Sequence, residues 1–558
     1  MHDIENIITA IYTSIWGYVN QHRKMWKYEK KAFFSKLIAL IKSDKVYFDV
    51  LRKTLACKYE IITIDENING TGLDDFNISL KNLYESLRLG LADKTFNWKD
   101  TEEKEGVPRD FKKEYGKVLR FYQEETISNG FLEIVCPFSG KLIRTVHSFP
   151  IGRAVFYRFE SEEVFYAVSV VLSNGYNLDS MYFPNREVLI NSGVTVRGSH
   201  LNVLQNHVNQ LKLKLLMHLE KLADYLLATK PKQKVALLGN ENFAHHLYNE
   251  LEALERLSKQ NLLGKVDNFW VTHEPLGAID EIFPEILSGK VTRIREPALL
   301  NAALENQALI IRVGDRYVSD ELRERLYKAS LNKCDSTVID KVNQAKSSCY
   351  PLLWLSIRLV NRTCTNQVEA IIKIISHLAR DYPRLGVVFD GFSLPVDYDQ
   401  KKSNKHQGYG IIHFSHENIK NINYATNDIA AKLKEDVATF NTVGCTLAES
   451  VLWANHVDLY FCHHGTTQHK VGWLANKPGV VHSNQGVLSH PAYPEAKGCW
   501  INCRNAIYLP KSSVVDSEVP ENYQKAMRKD LKNYYLNWED AYKELLGLLK
   551  LIEPRQTI

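Results

Sequence analysis

Between Val457 and Asn484 the chain reads VDLYFCHHGTTQHKVGWLANKPGVVHSN: an apolar run, a turn crowded with reactive polar side chains, an amphipathic stretch and a second apolar run. That order predicts strand, turn, helix, strand. A buried parallel strand requires cover on both faces, so the feature commits this part of the chain to an α/β architecture. In open α/β sheets ligands sit beyond the carboxyl ends of the strands, where a helix start offers free N–H groups suited to phosphate. His464, Gly465, Thr466 and Thr467 fill that turn.

The same unit recurs upstream. KVALLG (234–239) precedes a helical pattern over Asn242–Leu257, NFWVTH (268–273) one over Ile279–Leu287, and ALIIRV (308–313) one over Ser319–Ala329. After a polar stretch, Asn332–Ser348, that reads as a linker come LLWLSIRL (352–359), a helix over Gln367–Ala379, LGVVFD (385–390), and helices over Asp428–Phe440 and Leu447–Asn455. Two successive α/β series predict two Rossmann-like domains facing a cleft.

A chain of 558 residues is too long for one core. Residues 1–125 read as helical and 126–195 as a small β-rich region, rich in aromatic and β-branched residues broken by turn signals such as Pro137–Gly140 and Ser173–Gly175. The first Rossmann-like domain is expected over 196–340, the second over 341–510, and a helical tail over 511–558.

A net charge of +5 over this length gives no support for wholesale nucleic-acid binding. The nine cysteines are scattered and never spaced C-x-x-C, which fits free thiols in a reducing compartment. Without a signal-peptide pattern or an apolar run long enough to span a bilayer, a cytoplasmic protein is expected. Lys31–Arg52 combines an apolar face with lysines, suiting either peripheral contact at the inner membrane or packing on its own domain.

Several residues could carry chemistry. In NFAHHLYNELEAL, Phe243, Leu247, Leu251 and Leu254 share one helical face, while His245 and Asn249 lie opposite. An imidazole just past a strand end suits a general base, although an exposed helix histidine has the same spacing. Arg358 and Arg362 flank a turn before a helix, where two guanidiniums can clamp a diphosphate or make surface ion pairs. Glu449 can hold ribose hydroxyls, or close a capping box with Thr446. The His/Cys content around 462–503 has no zinc-finger spacing, and the phosphate-binding glycine signatures of triphosphatases and dehydrogenases are missing; no metal or cofactor is expected.

Taken in order, three blocks resemble the family 61 glycosyltransferases of GT-B fold. NFAHHLYNELEAL is similar to the family's N-F-G-H-W-L-L-D helix, matching His245 and setting Asn249 where the family has aspartate. LSIRLVNRTCTNQVEAI is similar to its I-S-R…R-R…N-E block, matching Arg358, Arg362 and Asn366, with Gln367 in place of glutamate. TLAESVLWANHVDLYFCHHGTTQHK resembles its G-P-H-G-A-G-L-T-N loop, with Thr467 and Lys470 in place of glycine and asparagine. The likeness spans about 234–484. It implies an inverting, metal-independent glycosyltransferase acting in capsule or lipopolysaccharide synthesis. In that scheme His245 is the base, Asn242 and Asn249 lie on the acceptor side, and Arg358, Arg362, Glu449, His464, Gly465, Thr466, Thr467 and Lys470 hold the donor. The expected partners are a nucleotide-sugar donor and a glycan or lipid-linked glycan acceptor, with no nucleic acid. The alternative is a catalytically lapsed protein of the same fold that binds glycans or acts as a scaffold.

Overall fold

The computed structural model describes residues 60–63, 73, 76–87, 122–170, 178–191, 198–228, 232–396, 398, 416–433, 437–489, 506–518 and 532–552, apart from 153, 187, 316 and 361. Lys31–Arg52 and the Ser173–Gly175 turn lie outside the described residues, as does most of the expected N-terminal helical region. The chain divides into two compact units, Met1–Leu238 with Leu257–Thr272 and Ser288–Asp315, and Gly239–Arg256 with His273–Leu287 and Arg316–Ile558.

The first unit holds two sheets and a hairpin. β1 (Glu60–Thr63) falls in a region expected to be helical. After the hairpin of β2 (Leu132–Val135) and β3 (Leu142–Thr145) come β4 (Ser148–Ile151), β5 (Ala154–Glu160), β6 (Val164–Val170), β7 (Leu178–Phe183) and β8 (Val188–Asn191). Their sheet runs β1-β8-β7-β6-β5-β4. β4 is an edge, where Pro150 costs no ladder hydrogen bond. Phe149, Phe156, Tyr166 and Tyr182 pack with Leu204, Val208, Leu211 and Leu215 of the helix Gly198–Met217 in one core.

The second sheet of this unit contains β9 (Gln233–Leu238), β10 (Asn268–Val271), β11 (Val291–Arg293) and β12 (Ala308–Arg312), all parallel, in the order β11-β10-β9-β12. In chain order that is 3-2-1-4, the first half of the Rossmann arrangement.

The second unit carries the complete arrangement. β13 (Leu352–Ser356), β14 (Gly386–Asp390), β15 (Ala438–Asn441), β16 (Leu459–His463), β17 (Gly479–His482) and β18 (Ala506–Tyr508) are parallel in the order β15-β14-β13-β16-β17-β18. Numbered along the chain this is 3-2-1-4-5-6, so the topological switch lies between β13 and β16. β13, β14 and β16 are buried throughout, as strands covered on both faces must be. The chain is thus an α/β protein with two Rossmann-like sheets in succession after a β-rich region.

Four expectations are corrected. The stretch expected to link the two series is mostly the helix Ser336–Ser348, held by buried Val342 and Ala345. The helix expected to end at Phe440 spans His416–Lys432, and Ala438–Asn441 is strand β15 beside β14. The helix predicted over Ile279–Leu287 is one turn, Ile279–Ile282. The tail is not a separate helix: β19 (Val514–Asp516) and β20 (Tyr534–Leu536) pair antiparallel, and the helix Trp538–Ile552 sends Ala541, Leu545 and Leu549 into the core of the second sheet. Among the described residues no helix is long and apolar enough to cross a membrane.

Candidate active site

The switch point of the six-stranded sheet of the second unit gathers most of the residues singled out in the sequence. β13 ends at Ser356, and Arg358 follows two residues later; β16 ends at His463, and the His464–Thr467 turn follows at once. Gly465 has φ +123°, a conformation L side chains rarely adopt. Its open side faces both arginines: a Cβ built there would lie 3.6 Å from Arg358 Nη1 and 3.9 Å from Arg362 Nη2. Two guanidiniums therefore converge on the turn after β16.

Their electrostatics favour an anion. Burial pushes Arg358 down to about 10, with Arg362 acting in the same direction and Tyr534 opposing. Holding two cations together costs energy that a bound anion would offset. The turn is braced by the first residue of the helix that follows it. Arg358 donates its backbone N–H to Gln367 Oε1 at 3.1 Å, and Gln367 Nε2 donates to the Arg358 carbonyl at 3.3 Å. Arg362 sits at φ +52°, uncommon for a residue with a side chain.

His245 belongs to the same unit. Asn242 caps its helix, accepting from Ala244 N–H at 3.0 Å. The helix then widens into a π segment, His246–Leu251, of the sort that often marks functional positions. Asn249 Oδ1 lies 3.1 Å from His245 Nδ1 and Tyr248 Oη 2.6 Å from the same nitrogen. Both groups hold the His245 ring through Nδ1.

A chain of rings leads from His245 to the turn after β16. His245 and Tyr248 lie 5.1 Å apart, and Tyr248 meets Trp473 edge-on at 5.5 Å. Trp473 stacks on His469 at 3.2 Å, and His469 stands 6.4 Å from His464, whose Nδ1 is 3.2 Å from Tyr508 Oη. Burial first, then His464, His245 and Arg362, hold His469 well below the usual histidine range. His245, His464 and Arg362 thus act electrostatically on one imidazole. His469 and Trp473 had no place among the expected site residues; their signal was an i, i+4 aromatic pair on the segment after the turn.

Other expected residues are occupied locally. Glu449 closes the capping box, accepting the Thr446 N–H at 2.8 Å while Thr446 Oγ1 accepts from Glu449 N–H. Thr467 is buried and donates its hydroxyl to the His463 carbonyl at 3.3 Å. Lys470, expected to hold the donor, is sealed 2% exposed beneath the site. Its ammonium donates to Asp390 Oδ1 at 2.6 Å, Gly391 O at 3.0 Å and Ser393 Oγ at 3.0 Å. Three bonds exhaust an ammonium group, so none remains for a phosphate.

Also missed was a buried pair under the first turn. Glu250 Oε2 accepts from Gly239 N–H at 2.9 Å and Asn240 N–H at 2.8 Å, and lies 2.8 Å from His246 Nδ1. It fastens the helix carrying His245 to the turn that follows β9.

Three buried histidines are held neutral. His463 lies well below its usual range through burial, Arg358, His482 and Arg362; His469 likewise; and burial takes His482 down to about 3. Unfolded, each binds a proton near the ordinary value of 6.5. The unfolded state therefore takes up more protons below that pH, and stability is lost as pH falls from 6.5 towards 3. Each such histidine is expected to contribute at most about 1.4 kcal/mol per pH unit. Melting temperatures measured from pH 7.5 to 4 test this, and a His482→Phe variant with an unchanged slope would refute it.

No family model and no curated protein sequence matches the chain, so the family 61 resemblance rests on the three quoted blocks. Among solved structures, a family 9 glycosyl transferase from Veillonella parvula is similar at 10% identity and TM-score 0.33, covering 58% of this chain and 98% of that one. A UDP-GlcNAc 2-epimerase from Methanocaldococcus jannaschii is similar at 13% identity and TM-score 0.24, over 60% of this chain and 82% of its own. A trehalose 6-phosphate synthase from Burkholderia multivorans gives 9% and 0.24, over 66% and 81%. The fold assignment stands on the strand order itself. Among the described residues no group of three or more His, Cys, Asp or Glu side chains is placed to hold a metal ion.

Proposed function

We propose that the chain is a glycosyltransferase that moves a sugar from a nucleotide-activated donor to a hydroxyl of a glycan or lipid-linked glycan, without a metal ion and with inversion. The observation that carries the reading is the convergence of Arg358 and Arg362 on Gly465 at the switch point. A forked pair of guanidiniums is suited to a diphosphate and to the charge that develops on it as it leaves. Inversion and a role in capsule or lipopolysaccharide synthesis follow from the family resemblance, and cytoplasmic action, with peripheral contact at the inner membrane, belongs to the same reading.

In the reaction the acceptor oxygen attacks the anomeric carbon while the bond from that carbon to the diphosphate oxygen breaks, its electron pair leaving with the nucleotide. His245 Nε2 takes the acceptor proton, and Asn249 and Tyr248 set the ring through Nδ1. Arg358 and Arg362 receive the leaving diphosphate. Lys470 has no part in this scheme. Glu449 keeps its ribose role only through the oxygen that does not close the cap.

Calorimetric titration of the full chain with UDP, GDP, CDP and CMP is expected to show one binding site for one of them. Absence of binding to all four would sink the reading. His245→Ala is expected to lower kcat by 10²- to 10⁴-fold, the usual worth of a general base, and to leave nucleotide affinity within about twofold. Unchanged turnover in that variant would remove His245 from the mechanism. The scaffold alternative draws on Asn249, which denies His245 a carboxylate; nucleotide binding with no hydrolysis or transfer across a donor panel would favour it.

A further inference from the structure

β20 lies outside the parallel sheet, yet it runs along the turn that carries the arginines. Tyr534 N–H donates to the Thr363 carbonyl at 3.1 Å, and Thr365 N–H donates to the Tyr534 carbonyl at 2.7 Å. Thr363 N–H donates to Asn533 Oδ1 at 2.8 Å. The Asn366 side chain closes the far end in both directions, donating to Leu536 O and accepting from Leu536 N–H, each at 2.9 Å. Backbone groups of Thr363 and Thr365 are thus met by a segment 170 positions away, not by the Rossmann sheet.

The Tyr534 side chain continues the contact inward. It is fully buried, with Oη 2.6 Å from His482 Nδ1 and its ring 5.8 Å from that of His463, and the charges of Arg358 and Arg362 both act on it. On the other side of the same turn, Arg362 is held at φ +52°. A left-handed residue with a long side chain persists only where its surroundings hold it there, and this strand is what binds the residues directly after it.

We propose that Asn366, Asn533 and Tyr534 are positioning residues for the two guanidiniums. The segment 533–536 is a strap that keeps the turn 362–366 in its anion-receiving conformation, so the diphosphate's share of donor affinity depends on the C-terminal part of the chain. This rests on the reading that Arg358 and Arg362 hold a nucleoside diphosphate.

The test uses the full chain with Asn366→Ala, Asn366→Asp and Tyr534→Phe. Alanine removes both bonds to Leu536, aspartate keeps the acceptor and loses the donor, and phenylalanine removes only the hydroxyl. Backbone hydrogen exchange is followed for the peptide 359–368. Affinity is measured for whichever of UDP, GDP and CDP the wild-type chain binds, and for the matching nucleoside, which has no phosphate. Exchange in the peptide is expected to quicken, and diphosphate affinity to fall at least tenfold in Asn366→Ala and less in Asn366→Asp. Nucleoside affinity and binding stoichiometry are expected to hold. A change that only loosened the fold would instead lower both affinities, or the stoichiometry. Parallel loss for nucleotide and nucleoside, unchanged exchange, or unchanged diphosphate affinity would each overturn the strap. If Asn366→Ala fails to fold, the same comparisons are made with the other two variants. A wild-type chain that binds none of these diphosphates sinks the reading that Arg358 and Arg362 hold a diphosphate and this inference with it; wild-type binding that the variants leave intact sinks this inference alone.

Discussion

Arg358→Ala in the full chain is expected to weaken nucleoside diphosphate binding by roughly 30- to 1,000-fold, about 2 to 4 kcal/mol, the usual loss when one member of a desolvated charge pair is truncated. Arg358 stands at the switch point, one guanidinium nitrogen 3.6 Å from where a Gly465 side chain would begin. Its partial burial strengthens its attraction for an anion and raises the cost of leaving the charge uncompensated. Arg358→Lys is expected to recover only part of the affinity, since an ammonium is a point charge and cannot fork across two oxygens. Calorimetry on wild type and both variants decides the matter, and an Arg358→Ala chain that binds as tightly as wild type removes the arginine from the site.

The parallel strands were legible because burial on both faces writes itself as a continuous apolar run: LLWLS, GVVFD and LYFCH are visible without neighbours. Short pieces were not. Ala438–Asn441 alternates partly buried and exposed residues over four positions, too few to separate an edge strand from the end of a helix. Ser336–Ser348 buries only Val342 and Ala345, so its helical face is faint. The helical wheel drawn through NFAHHLYNELEAL placed Leu247, Leu251 and Leu254 inside correctly, and Phe243 is only half-buried. That wheel assumes 3.6 residues per turn. The π segment His246–Leu251 winds more slowly, which lets His246 and Glu250 turn inward beside the leucines.

Positions that depart from the family blocks were harder still. Gln367 read as a lost carboxylate, whereas it both accepts from and donates to the backbone of Arg358, which a carboxylate cannot do. Tyr534 reads in the sequence as one residue of an apolar face on a helical tail, and nothing local ties it to the arginine turn. Its neighbours are Thr363 and His482, reached only through the fold.

Lys470→Met is expected to cost about 3 to 5 kcal/mol of stability near pH 8, the range found when a buried ion pair loses one partner. Lys470 and Asp390 are 2% and 0% exposed along their side chains, and the ammonium joins a second π segment, His469–Leu474 after β16, to the end of β14 through Asp390, Gly391 and Ser393. Burial already holds the Asp390 carboxyl above its ordinary 3.8 in spite of the lysine. Without the lysine that value rises further, because nothing then offsets desolvation of the carboxylate. A carboxyl whose folded value is raised binds a proton that the unfolded chain releases, so the variant loses stability as pH rises and regains it as pH falls towards 5. The double variant Lys470→Met with Asp390→Asn is expected to recover part of the loss at pH 8, since it buries no charge. Urea denaturation of the three chains at pH 5 and 8 measures each step. The same proteins separate two roles for Lys470. A lysine that holds the fold leaves diphosphate affinity of the folded variant within about twofold of wild type, whereas one that grips the donor would abolish binding at a wild-type denaturation midpoint, a result that would return Lys470 to the donor site.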